Sequence, residues 1–239
     1  MKIKTTLFLI ISFLMASCNQ KQNAITNSDV TVIGQMKNVM MKGELFATIN
    51  LDTISNKKHL FGFGPLEYLK GEILILDGKA YSSKVVSDTT MQVVKSYKIK
   101  APFFAYATIN EWKPIALPDS IFNLIQLENY LNVISVNDSK PYLFKLEGQI
   151  DSAKVHIVNL PEGTVVHSPD EAHQGLTHYH LQNETVDIIG FYSTKHQTIF
   201  THHTTNLHLH LITKDRTKMG HLEEVNFKPQ NIKLFLQEK

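Results

Sequence analysis

The stretch NLHLHLITKDRTKMGHLEEV (206–225) constrains the fold of this chain more than any other. In LHLHLIT, polar and apolar residues alternate, which makes a strand with leucines on one face and histidines on the other. KDRTKMG is a polar turn ending in glycine, and GHLEEVNF is the returning strand. His208 and His210 therefore project from one face, with Cβ atoms about 6.5–7 Å apart. The hairpin brings His221 beside His210, within the roughly 5 Å typical of cross-strand neighbours. Three imidazoles converge on one point above the sheet. Three nitrogen ligands with open positions suit a catalytic zinc ion; a structural one would close its shell with a fourth protein ligand.

Strand signals dominate elsewhere too. EILILDGKAYSS (72–83) is an apolar run, an Asp77-Gly78 turn and a second alternating run, hence a hairpin. KPYLFKLEGQI (140–150), AKVHIVNL (153–160) and TVDIIGFYST (185–194) are further strands, rich in β-branched and aromatic residues. One helix stands out, opening at Pro118-Asp119 with Asp119 as its N-cap and apolar residues from Ile121 to Ile134 at helical spacing. A loop at Pro161, Gly163, Ser168 and Pro169 leads to a short helix at Asp170-Glu171. Strands and helices do not alternate regularly. The expected fold class is α+β, with mixed, largely antiparallel sheets in two lobes, few helices and a soft boundary near residue 138.

The ends carry a different message. MKIKTTLFLIISFLMAS (1–17) has two lysines, a short apolar core and small residues before Cys18. That is the pattern of a secretory signal, too short to be a comfortable membrane span. LMASC resembles a bacterial lipobox, which makes Cys18 the expected lipidation site, residues 18–28 a flexible tether and residues 29–239 the folded domain. The expected address is the cell envelope, with membrane contact through the lipid anchor only. Cys18 is the single cysteine, so no internal disulfide stabilises the domain.

The formal net charge of +2 falls to zero once Lys2 and Lys4 leave with the signal. Nucleic acid, whose binding needs an excess of positive charge, is excluded as a partner. Eleven of the twelve histidines lie between His156 and His221, but spacing singles out only His208, His210 and His221. A cupin also carries an HxH pair; it requires a glutamate a few residues on, where this chain has Lys214 and Asp215.

The full pattern of HLH, ten residues containing DR, then GH before an apolar residue, resembles the zinc motif of the α-acetolactate decarboxylases. DIIGFYST (187–194), FGFGPLEYLKGEILILDGKAY (61–81) and APFFAYATI (101–109) are similar to other segments of that family, in the same order. The resemblance spans most of residues 60–227. It implies a zinc lyase converting 2-acetolactate, a small 2-hydroxy-3-keto acid, to acetoin and carbon dioxide, with one Zn2+ held by His208, His210 and His221. It assigns the proton donor to Glu72 and a second acid, from the C-terminal tail, to Glu238. A homodimer is the candidate assembly.

The chain departs from the family at one point. The family's mid-chain arginine, which holds the substrate carboxylate, is absent, because Arg216 is the sole arginine. The corresponding position is His156, and an imidazolium lacks the guanidinium's two-pronged fork. His202 and His203 are further donor candidates. Two rivals follow: a non-catalytic zinc-containing binding module of the PPC type, whose domain also carries an HxH…GH hairpin, and a related lyase acting on another 2-hydroxy-3-keto acid.

Overall fold

The structure is a computed structural model that describes residues 30–135, 140–201 and 204–237. The expected signal, the Cys18 anchor, the tether and the boundary near 138 lie outside the described residues. In chain order the strands of the first half are β1 (Thr31–Ile33), β2 (Ile49–Asn50), β3 (Leu60–Pro65), β4 (Glu72–Leu76), β5 (Lys79–Ser87), β6 (Thr90–Lys95), β7 (Lys100–Ala101), β8 (Phe104–Thr108) and β9 (Trp112–Ala116). Those of the second are β10 (Tyr142–Gln149), β11 (Ser152–Ile157), β12 (Thr177–Gln182), β13 (Thr185–Tyr192), β14 (Leu207–Thr213), β15 (Met219–Asn226) and β16 (Ile232–Gln237). The helices are α1 (Met36–Lys42), α2 (Leu124–Ile134) and α3 (Pro169–Ala172).

Two antiparallel sheets result. One runs β1-β8-β3-β4-β5-β6 and the other β12-β11-β15-β14-β13-β10-β16-β9, with β2 and β7 as a small separate pair. This is the largely antiparallel, helix-poor architecture expected. Strand β9 comes from the first half of the chain yet completes the second sheet beside β16.

Alternation decides which residues face the space between the sheets. On β4, Leu74 and Leu76 join Phe61 and Phe63 of β3 in a core shared with Leu143, Ile189, Phe191, Ile212 and Met219 of the second sheet. Glu72, in step with Leu74 and Leu76, points into the same space. On β14, Leu207, Leu209 and Leu211 face the other way, into a separate core beneath α2, and leave the inner face to His208, His210 and Ile212.

Local chemistry explains the turns. Asp77 and Gly78 both take positive φ, 45° and 70°, as a two-residue hairpin turn requires, and they join β4 to β5 where expected. The main helix starts later than expected, and Asp119 is not its cap. Asn123 caps it, with Oδ1 accepting from Gln126 N–H at 3.0 Å. Asn123 is extended, and residues 122–123 are pinned against the second sheet through Asn123 bridging to Asn226 and Phe227 N–H donating to the Phe122 carbonyl. Those bonds postpone the helix by one turn.

Gly190 on β13 marks a close approach. A Cβ there would sit 2.3 Å from Cζ of Phe144, which is fully buried. Gly190→Ala is expected to destabilise the fold by about 1–3 kcal/mol through overpacking, measured by denaturant unfolding.

Candidate metal centre and active site

The hairpin β14–β15 forms with His210 directly opposite His221, the register anticipated from the turn length. His208 Nε2 lies 3.1 Å from His221 Nδ1. Nitrogen atoms of all three histidines lie within 4.8 Å of one another, and all three residues are buried. Two imidazole nitrogens on one tetrahedral zinc, each about 2.1 Å away, stand roughly 3.4 Å apart, so the spacing fits a shared ion.

The surroundings fit as well. His208 Nδ1–H donates to the Phe200 carbonyl at 2.6 Å, which leaves Nε2 as its ligand atom and fixes the ring. Burial, followed by the nearby His208 and His156, pushes the His210 pKa well down, so that ring is neutral, as a metal ligand must be. Among the described residues its Nδ1 has no well-formed hydrogen bond, and the Ile73 backbone is the one group there that favours its protonated form. Phe63 stacks on His210 with ring centres 4.4 Å apart and meets His208 edge-on at 4.7 Å. This aromatic wall shields the cluster from solvent.

Glu72 faces the histidines from the opposite sheet. Its side chain is buried, with Oε1 accepting from Val158 N–H at 3.1 Å and Oε2 lying 3.8 Å from His210 Nε2. Burial raises its pKa from 4.5 to about 8, only partly offset by the Val158 hydrogen bond. With no ion on the histidines, the group therefore carries a proton at neutral pH. Glu72, the three histidines and His156 border one cavity of about 120 Å³, walled by Met36, Met40, Phe103 and Val158.

His156 lies on β11 opposite His221 and stacks on it at 4.4 Å, with planes 14° apart. It is thus beside the cluster, where the sequence places it. Arg216 is committed elsewhere: its guanidinium pairs with buried Asp187 at 2.8 Å and packs over Tyr81. Glu238, His202 and His203 lie outside the described residues.

The structure adds groups the sequence alone does not single out. Glu223 binds His156 and His178, and Phe63 covers the cluster. Glu223 stands two residues after His221, so its face was readable, but its partners depend on the pairing of β11 with β12 and β15.

Fold and site together define a protein of two large antiparallel sheets that brings a buried three-histidine cluster against a buried carboxyl group. A profile of the alpha-acetolactate decarboxylase family matches residues 30–238, and the chain belongs to that family. The alpha-acetolactate decarboxylase of Methanosarcina mazei is 27% identical over 162 residues, covering 68% of this chain and 54% of that protein. That of Brevibacillus brevis is 24% identical over 198 residues, covering 82% and 66%. The chain spans between about half and two thirds of the length of these curated relatives. In fold it is similar to crystalline alpha-acetolactate decarboxylase from Bacillus subtilis strain 168, with a TM-score of 0.70, 20% identity and coverage of 88% of this chain and 86% of that one. A Staphylococcus aureus protein of unknown function similar to alpha-acetolactate decarboxylase also gives a TM-score of 0.70, at 17% identity over 87% and 84% of the two chains.

Proposed function

We propose that this protein is a metal-dependent carbon–carbon lyase that decarboxylates 2-acetolactate to acetoin. One observation carries the reading: Glu72, a buried carboxyl group whose pKa burial raises, faces three convergent histidines across one shared cavity, in a chain of this family. His208, His210 and His221 would hold the ion, with zinc favoured by three imidazoles and an open position; it would supply Lewis acidity toward the substrate's keto and hydroxyl oxygens.

The chain's own residues do the rest. When the carboxylate departs as carbon dioxide, its bonding electron pair stays on the remaining fragment, and one proton must reach carbon. Glu72 holds that proton. Val158 N–H fixes Oε1, and Oε2 is left on the histidine side. Met36, Met40 and Phe103 limit water, a competing proton source, around the reacting carbon. His156 takes the place of the family's arginine and meets the polar end of the substrate. His156→Ala is expected to raise KM roughly tenfold while bound metal stays at the wild-type level, read from steady-state kinetics and metal analysis.

The deciding experiment incubates zinc-loaded protein with racemic 2-acetolactate and scores acetoin above the spontaneous rate. No acceleration with any divalent metal removes this reading. The apolar wall of Met36, Met40, Met41 and Phe103 favours one variant of it, a 2-hydroxy-3-keto acid with a longer alkyl group. Comparing kcat/KM for the two substrates decides between them. We also propose, from the N-terminal pattern, a lipid anchor at Cys18; a palmitate analogue should label the wild type and not Cys18→Ser.

A further inference from the structure

His156 has two ring nitrogens, and among the described residues only Nδ1 has a hydrogen-bond partner. Nδ1 lies 2.7 Å from Glu223 Oε1. A carboxylate only accepts, so Nδ1 carries the proton in this contact. Glu223 is itself held from two further sides: His178 Nε2 lies 3.0 Å from Oε1, and Lys154 Nζ lies 2.7 Å from Oε2. The partners are set by sheet register, since His221, His156 and His178 lie side by side across β15, β11 and β12.

Position matters as much as bonding. His156 borders the cavity of Glu72 and the three histidines, but Glu223 does not. Glu223 instead borders a second, wider cavity of about 470 Å³, which shares His156, His173, His208 and His221 with the first. The ring thus lies where the two cavities meet, with its Nδ1 edge tied to Glu223, which lines only the second. An imidazole's terminal torsion has two roughly equivalent wells, and a bond at Nδ1 selects one of them.

We propose that Glu223 is a positioning residue for His156. Braced by Lys154 and His178, it holds the ring with Nδ1 turned away and Nε2 presented to the cavity. The inference rests on the reading of the site given above in one respect: the group that meets Nε2 is a polar group of a 2-hydroxy-3-keto acid. The hold on the ring does not depend on that reading. The three polar side chains also resemble a ligand set, since their atoms lie within 4.8 Å of one another. Lys154 on the carboxylate opposes that role, because its ammonium would face a bound cation.

The test uses the zinc-loaded mature protein, with histidine labelled by nitrogen-15 and the His156 signal assigned by its loss in His156→Gln. Wild type and Glu223→Gln, which keeps an acceptor oxygen, should show a protonated Nδ1 and a bare Nε2. Glu223→Leu should show a mixture of tautomers. In turnover, Glu223→Leu should raise KM about tenfold, Glu223→Gln should recover most of that loss, and Glu223→Leu should add nothing in a His156→Gln background. Equal effects of Gln and Leu, additivity with His156→Gln, or an unchanged nitrogen pattern in Glu223→Leu would overturn the proposal. So would a second bound zinc that disappears in His178→Ala. If the wild type forms no acetoin, the nitrogen pattern still decides the role of Glu223, and only the lyase reading falls.

Discussion

Glu72→Gln is expected to lower kcat by about 10²–10⁴-fold, with bound metal retained and KM little changed. Glutamine keeps the shape and can still accept from Val158 N–H, but it has no proton to give to carbon. The same substitution makes an unusual stability prediction. In metal-free protein the Glu72 pKa is raised from 4.5 to about 8 by burial. Between those two pH values the folded chain keeps a proton that the unfolded chain has released. The folded state therefore loses stability as pH rises from about 4.5 to about 8, then levels off. Glutamine has nothing to ionise. Metal-free Glu72→Gln should be more stable than wild type at pH 7, by an amount on the order of 3 kcal/mol, and the gap should close by pH 4. Thermal unfolding in chelator across that range checks it. A variant less stable than wild type at pH 7 would show that the buried carboxyl group is not strained by its surroundings.

The second large effect concerns the ion. His208→Ala with His210→Ala is expected to abolish stoichiometric zinc binding and all acetoin formation. Wild type should gain about 2.7 kcal/mol of stability when free zinc is a hundredfold above Kd, and the double variant should gain none. Comparing each protein with and without zinc removes the cost of the cavities left by the imidazoles. Full zinc content in the double variant would place the metal elsewhere, and the His156, His178 and Glu223 group is where to look.

Much of this was legible in the sequence, unevenly. LHLHLIT and GHLEEV gave both strand faces and the pairing of His210 with His221, because alternation and a short turn are local properties. Asp77-Gly78 was readable for the same reason. The helix start was not: Asp119 has the chemistry of a cap, but contacts with a strand some hundred residues later pin residues 122–123 against the second sheet. The environment of Glu72 was also beyond reach. Its Val158 partner is 86 residues away, and only the packing of the two sheets shows that the carboxyl group is buried. The DR between His210 and His221 has a plain explanation in the fold, where Arg216 braces the hairpin against Asp187.

The three histidines all belong to one hairpin, whereas the acid that faces them comes from the other sheet. Closing a short loop costs little chain entropy and is fast, while docking two sheets across long sequence separations is slow. Binding the ion and turning over substrate should thus mature at different moments in folding. A refolding chain should take up zinc first and become able to form acetoin only later, when the sheets dock. Activity then reports on the join between the sheets, and a mutation that loosens the join could leave a well-loaded, inert protein.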